Sequence, residues 1–169
     1  MPIRPTLVAG ALLATAATLT STPATTANAA TAPTTTVEKG VVIECTGHLD
    51  GQDVYVSLYE NNRYSNVAQV NVGDDGSSRE VRDIVRAGRV RAALRIDGSI
   101  ARVAGSVSVT GRPTRVHEEL DDAGQHIVSD GTHRALSTRL RVSFRGERSR
   151  LTCDNAFRYR LRVTKTPVA

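Results

Sequence analysis

Apolar and polar residues alternate over most of this chain after residue 37. In 54–59 and 68–72 every second residue is Val, Leu or Ala, and the segments 90–96 and 103–109 have a similar spacing. A period of two residues indicates a half-buried β-strand, because successive side chains of a strand point to opposite faces. The pattern therefore predicts an all-β protein.

Turn signals separate these segments. Asp97-Gly98 predicts a two-residue type I′ hairpin, and 73–78 (Gly-Asp-Asp-Gly-Ser-Ser) predicts a loop. Further strands are expected at 114–120, 125–129, 133–145, 149–153 and 157–164, with turns at 121–124, 129–131, 146–147 and 154–155. Segment 79–86 is the exception: Ser77 or Ser78 would cap a short helix there, and Gly88 would end it.

Eight to ten short strands joined by tight turns predict an antiparallel meander. We expect it to form a small closed barrel, lipocalin-like, or else a sandwich. Pairing of the first strand with the last would remove the open edges of the sheet, which favours the barrel.

The first 29 residues predict a secretory signal peptide. Arg4 lies before an uncharged apolar run, 7–19, and Ala27-Asn28-Ala29 has the small residues of a cleavage site. The run is too short for a membrane span, so we expect cleavage near Ala29 and no span in the mature protein. A Thr/Ala/Pro-rich linker, 30–37, is expected to be a disordered, plain spacer; the alternative is that the host glycosylates its Thr residues. Residues 38–167 then form a single β domain.

Two cysteines, Cys45 and Cys153, are the full complement of the chain. An even number of cysteines in an exported protein predicts a disulfide, and two allow one intramolecular pairing. Both lie in strand-like segments, and a redox-active Cys-x-x-Cys spacing is absent. The bond should therefore be structural and should join the first strand to one near the end.

The chain carries 22 Lys and Arg against 17 Asp and Glu, a formal net charge of +5. Positive charge concentrates after residue 131, where the strands 139–145 and 158–163 alternate arginine with apolar residues. If these strands are neighbours, six guanidinium groups share one outer face. The candidate binding residues are Arg139, Arg141, Arg145, Arg158, Arg160 and Arg162.

Two interpretations of these arginines remain open. Guanidinium groups suit phosphates, sulfates and carboxylates, so the face could contact anionic polymers of the cell envelope or outside the cell. Alternatively, it is a solvated surface that discourages edge-to-edge aggregation and pairs with the acidic half of the molecule. Aromatic residues are only 4% of the chain, which gives little support for stacking on bases, so no nucleic-acid partner is expected.

The segment 117–126 collects two histidines and four carboxylates. It lacks the spacing of known zinc and calcium motifs, so we predict an acidic strand end and turn rather than a metal site. No Gly-x-Ser-x-Gly motif is present, and the carboxylate pairs at 74–75 and 121–122 resemble exposed turns. We therefore predict no catalytic residues, no cofactor and no enzymatic activity.

The segments 45–51 (Cys-Thr-Gly-His-Leu-Asp-Gly) and 54–61 (Val-Tyr-Val-Ser-Leu-Tyr-Glu-Asn) are similar to small secreted β-domain proteins of high-GC Gram-positive bacteria. That group is mostly uncharacterised, so the resemblance implies no activity. The combined expectation is a secreted monomer, extracellular or wall-associated, that is a non-enzymatic binding or structural domain of unknown ligand. The alternatives are a small-ligand-binding barrel and, further behind, a secreted hydrolase or an enzyme inhibitor.

Overall fold

The structure, a computed structural model, describes residues 32–168, and in that range the chain forms eleven β-strands and no helix. The strands are β1 Thr34–Leu49, β2 Gln52–Asn61, β3 Asn66–Val72, β4 Asp75–Val81, β5 Val85–Arg86, β6 Arg89–Ile96, β7 Ser99–Val109, β8 Thr114–Asp122, β9 Gln125–Phe144, β10 Glu147–Arg150 and β11 Thr152–Pro167. The predicted helix over 79–86 is wrong, and so is most of the loop over 73–78. Residues 75–81 instead pair with β3, whose free edge satisfies their backbone groups.

All the strand pairs are antiparallel, and the main path of the sheet runs β4-β3-β2-β1-β11-β9-β7-β6-β5. β8 and β10 each pair with β9 beside that path. The all-β antiparallel prediction is confirmed. The path ends at β4 and β5, which do not pair with each other, so the sheet is not closed into the predicted barrel.

β9 is a single strand of 20 residues, and its first and second halves pair with different neighbours. Its residues 125–135 pair with β11, and 125–133 pair with β8 on the other edge. Its residues 136–143 pair with β7, and 141–144 pair with β10. The turn predicted at 129–131 is therefore absent. Gly131 instead allows a close approach of β11, because a Cβ there would overlap the carbonyl oxygen of Arg160.

β1 pairs with β11, the last strand, from Thr34 opposite Lys165 onwards. Residues 34–37 were predicted to be linker; they are strand because β11 extends far enough to pair with them. The disulfide between Cys45 and Cys153 is confirmed. The signal peptide predicted for 1–29 lies outside the described residues.

Five hairpins use two-residue turns in which both central residues have positive φ. Asp97 and Gly98, at 43° and 73°, confirm the predicted type I′ turn between β6 and β7. The others are Asp50-Gly51, Ala87-Gly88, Ala123-Gly124 and Arg145-Gly146. These short connections fix the register of each hairpin, and with it the side of the sheet to which each side chain points.

The hydrophobic core lies between β1–β3 on one side and β6, β7 and the second half of β9 on the other. The largest of its fully enclosed side chains are Ile43, Val54, Val56, Leu58, Val70, Ile84, Val90, Leu94, Ile96, Val103, Leu140 and Val142. Burial of each such side chain contributes about 1.5–3 kcal/mol. This burial determines which face of each strand points inward, and so it also turns the alternating arginines outward.

Within residues 32–168 no helix is long and apolar enough to cross a membrane.

Candidate functional site

The six arginines selected from the sequence do not share one surface. The strand segment 139–144 pairs with β7 and β10, whereas Arg158, Arg160 and Arg162 lie opposite 134, 132 and 130 in the first half of β9. Even-numbered residues of β9 point to the core side, as the buried Leu140 shows. The β11 arginines therefore lie on the core side of the sheet, and Arg139 and Arg141 lie on the outer side.

Arg139 and Arg141 belong to a larger basic surface, which we call the arginine face. It is the outer side of the sheet formed by β5, β6, β7, the second half of β9, and β10. Pairing places its members in rows across these strands. The nine exposed arginines of this face are Arg86, Arg89, Arg91, Arg95, Arg102, Arg139, Arg141, Arg148 and Arg150.

The hydrophobic core is the local reason for this surface. On β6 the residues Val90, Ala92, Leu94 and Ile96 are between 0% and 8% exposed. Because strand side chains alternate, the arginines between them must point to solvent. β7 and β9 follow the same rule, and the two-residue turn at 97–98 holds β6 and β7 in matching register.

No strand position of the arginine face carries a carboxylate; the residues between the arginines include Ala93, Ala104, Ser106 and Ser143. Arg145, in the turn beside the face, pairs with Asp97. Among the described residues that is the sole ion pair formed by an arginine. The positive charge of the face is thus not neutralised by the protein, and it generates a potential that attracts anions.

A second basic group, the inner cluster, consists of Lys39, Arg134, Arg158 and Arg160. Lys39 lies opposite Arg160 on β1 and β11, and Arg158 lies opposite Arg134 on β11 and β9. The cluster lines a groove of about 460 Å³, whose other lining residues are Gly40, Val41, Glu60, Asn61, Asn62, Asn66, Thr132 and Tyr159. Arg162 is on the same side of the sheet, opposite Asp130.

A buried polar cluster joins β1, β2 and β11 beside that groove. Asn61 donates its side-chain amide to Glu38 at 3.0 Å and to the hydroxyls of Tyr59 and Tyr159 at 2.8 Å each. Burial, followed by the hydrogen bond with Tyr59, raises the pKa of Tyr159 well above its ordinary value of 10. The phenol therefore stays protonated and holds the strands together through neutral hydrogen bonds.

A smaller groove of about 250 Å³ lies on the opposite side of the first half of β9. Its lining is largely apolar and aromatic: Glu38, Val42, Tyr59, Val116, Glu118, His133, Phe157, Tyr159 and Leu161. His133 lies within β9 and packs against Phe157, with ring centroids 5.5 Å apart and the rings tilted by 41°.

The histidine and acid segment 117–126 forms a charged network on β8 and β9. His117 contacts Asp130 at 2.6 Å and Glu119 at 3.2 Å, and His126 contacts Asp121 at 2.8 Å. The hydrogen bond to Asp130 is the main cause of the raised pKa of His117. Within the described part of the chain, no group of three or more such side chains is arranged to hold a metal ion.

Histidines and carboxylates also meet at His48 and Asp53, 2.8 Å apart and both exposed. Among residues 32–168, no histidine forms a hydrogen bond with a serine; the histidine partners are carboxylates on exposed strands. In this part of the chain, therefore, no serine is held by a histidine in the way that activates a nucleophile.

Sequence reasoning did not identify most of the arginine face or the cations that complete the inner cluster. The alternation of Arg89, Arg91 and Arg95 with apolar residues was visible, and the hairpin at 97–98 would have placed Arg102 on the same side of the sheet. The pairing of β9 with both β7 and β10, which adds Arg139, Arg141, Arg148 and Arg150, had no local signal.

No family model, no curated protein and no solved structure matches this chain.

Proposed function

We propose that this protein is an exported, non-enzymatic domain that binds an anionic polymer outside the cell through its arginine face. One observation carries the proposal: nine exposed arginines lie on one side of a sheet, with no carboxylate at the strand positions between them. An arginine presents a planar fork of donors that matches the oxygens of phosphate, sulfate and carboxylate groups. Repeated forks suit repeated anionic groups.

The shape of the surface favours a polymer over a small ligand. From β6 to β10 the face crosses four strands, about 14 Å at the usual strand spacing. The side chains between the arginines are mainly Ala and Ser, which leave room for a chain to approach. Many weak contacts on such a surface add together, and the release of counterions makes their sum depend on salt.

The polymer class we favour is an acidic polysaccharide or a phosphate-bearing wall polymer. The arginine face has no aromatic side chain on which a base could stack, so nucleic acid is a less suitable partner. The disulfide fits an oxidising compartment, which agrees with the export predicted from residues 1–29. A monomer is sufficient for this binding mode.

The alternative functions have less support. A small ligand held inside a barrel would need a closed sheet with an open interior, whereas this sheet is open and its core side chains are packed. A hydrolase would need a nucleophile or two carboxylates converging in a cleft, and the described histidine and carboxylate contacts are on exposed strands.

Two triple variants with equal charge change test the proposal. Arg91→Gln/Arg141→Gln/Arg150→Gln removes one row of the arginine face, and Arg63→Gln/Arg82→Gln/Arg112→Gln removes three exposed arginines elsewhere. On immobilised heparin, used as a model polyanion, the first variant should elute at lower salt. The slope of log affinity against log salt should fall by about 2–3, at roughly 0.7–0.9 per lost contact. Equal shifts in both variants would mean that retention follows net charge alone, and the assigned face would be wrong.

A further inference from the structure

We propose that the groove lined by the inner cluster is a separate site for a compact phosphate-bearing anion, such as a diphosphate or a phosphate monoester. The inner cluster lies on the core side of the sheet, whereas the arginine face is on the outer side. The two surfaces therefore bind independently, and this inference does not depend on the polymer-binding proposal.

Register concentrates the four cations. Arg158 lies directly opposite Arg134, and two residues further along β11 Arg160 lies directly opposite Lys39. Cross-strand partners have Cβ atoms about 4.5–5.5 Å apart, and side chains two residues apart on a strand share a face about 7 Å apart. Arg158 and Arg160 thus lie at the centre of the cluster, with Arg134 and Lys39 on either side of them, and all four line the same groove.

Most of the other polar groups of the groove have partners within the protein. One oxygen of Glu60 accepts the backbone N–H groups of Ile84 and Val85 at 3.1 and 3.0 Å. The side-chain oxygen of Asn62 accepts a hydrogen bond from the backbone N–H of Lys39 at 2.6 Å. The side-chain amide of Asn66 donates to the backbone carbonyl of Arg82. Because their hydrogen bonds are made within the protein, these groups form the walls of the groove, and the four cations are the groups that contact the ligand.

The cations themselves have few acceptors. Arg134 donates to the carbonyl oxygen of Gly111 at 3.1 Å. Among residues 32–168, no carboxylate lies within ion-pair distance of Lys39, Arg158 or Arg160. Like charges directly opposite each other destabilise a sheet. An anion with several charges would relieve both repulsive pairs at once.

The charge balance of the groove favours phosphate over a single carboxylate. Four cations against Glu60 leave an excess of three positive charges (4 − 1 = 3). A phosphate group has a charge near −2 at neutral pH and three strong acceptor oxygens. Arginine pairs with it through two parallel hydrogen bonds. The groove volume of about 460 Å³ accommodates a diphosphate.

Thermal unfolding with sodium pyrophosphate, glycerol phosphate and sodium acetate, at matched ionic strength, tests the site. A ligand that binds only the folded protein raises the Tm in a saturable way. We expect saturable shifts with pyrophosphate and glycerol phosphate and little shift with acetate, which carries a single carboxylate. The phosphate compound that saturates at the lower concentration shows whether a diphosphate or a monoester is the preferred form.

Two charge-matched variants locate the binding. Arg158→Gln/Arg160→Gln should weaken pyrophosphate binding at least tenfold and raise the Tm of the ligand-free protein, since a repulsive pair is removed from each row. Arg91→Gln/Arg141→Gln, on the arginine face, should change pyrophosphate affinity less than twofold. If acetate and pyrophosphate raise the Tm equally, or if both variants lose pyrophosphate affinity equally, the effect is general charge screening and the proposed site is wrong.

The wild-type protein supplies a test that does not depend on the variants folding. In NMR spectra, pyrophosphate should shift the Nε–H resonances of Arg134, Arg158 and Arg160 before those of Arg91 and Arg141. If the resonances of the arginine face move first or equally, the groove is not the site. Heparin should give the reverse order, so failure of this inference and failure of the polymer-binding proposal are distinguishable.

Discussion

Arg141 of β9 lies directly opposite Arg150 of β10, and both side chains are exposed on the outer side of the sheet. Two like charges in this arrangement reduce the stability of the strand pair. A sheet optimised for stability alone would place an acid or a neutral residue at one of the two positions. The repulsion therefore supports a binding role for this surface, because an anionic ligand would remove it.

The variant Arg150→Glu should stabilise the protein while it weakens polyanion binding. An opposite-charge pair across the strands replaces a like-charge pair, which should raise the free energy of unfolding by roughly 0.2–1 kcal/mol in urea titrations. Arg148→Glu is the matched control, since Arg148 is on the same strand and face but lies opposite Ser143. An equal gain in the control would show that reduced net charge, and not the pair, is responsible.

The disulfide should account for a large share of the stability. Cys45 and Cys153 are 108 residues apart, and closing a loop of that length restricts the unfolded chain. The variant Cys45→Ala/Cys153→Ala should lose about 2–5 kcal/mol of unfolding free energy, measured in guanidinium. The wild-type protein unfolded in the presence of a reductant should show the same loss. A loss in the variant with no effect of the reductant would point to packing at Cys45 instead.

The Tyr159 hydroxyl should contribute to stability and to its dependence on pH. The variant Tyr159→Phe removes its hydrogen bonds with Asn61 and Tyr59 and should cost about 1 kcal/mol in urea unfolding. Tyr64→Phe, at a side chain that is 53% exposed, is the control and should cost little.

The pH dependence has a definite sign. Because burial raises the pKa of Tyr159 in the folded state, the unfolded chain loses this proton first as the pH rises above about 10. The stability from this group is complete below that value and is lost as the pH rises further. The wild type should lose more stability than Tyr159→Phe between about pH 9 and pH 11; parallel curves would contradict the assignment.

His117 should titrate above its ordinary pKa of 6.5, chiefly because of its hydrogen bond with Asp130 and then because of the charges of Asp130 and Glu119. Stabilisation from this group is present below pH 6.5 and is lost as the pH rises through the raised pKa. In NMR titrations of the imidazole protons, Asp130→Asn should lower the pKa of His117. Asp121→Asn, which removes the partner of His126, should leave it nearly unchanged.

Local signals in the sequence were enough for the strand class, several of the turns and the covalent link. The alternation at 90–96 predicted β6 because the core needs one apolar face, and Asp97-Gly98 predicted the hairpin because both turn residues need positive φ. The pairing of Cys45 with Cys153 followed from their number and from the predicted export. Each of these depends on neighbours in the chain or on a count.

The order of the strands and the division of the arginines had no such local signal. The alternation in 139–145 and in 158–163 indicates which residues share a face, but it does not specify which strand lies beside which. Ser129-Asp130-Gly131 has the composition of a turn. It is extended because β8 and β11 satisfy its backbone groups from both edges. Such long-range pairing separated Arg158 and Arg160 from Arg139 and Arg141.

The pairing of β1 with β11 also has a consequence for the order in which the molecule assembles. During synthesis, the hairpins of β1 with β2 and of β6 with β7 can form early, since their partners are close in the chain. Residues 34–44, however, pair with 155–165. The edge of β1 that does not pair with β2 therefore has no partner until almost the whole chain has emerged. Contacts of such high sequence separation slow folding, and Cys45 has to remain a free thiol over the same interval. The pairing of β11 is thus the step that completes the sheet and allows the disulfide between Cys45 and Cys153 to form.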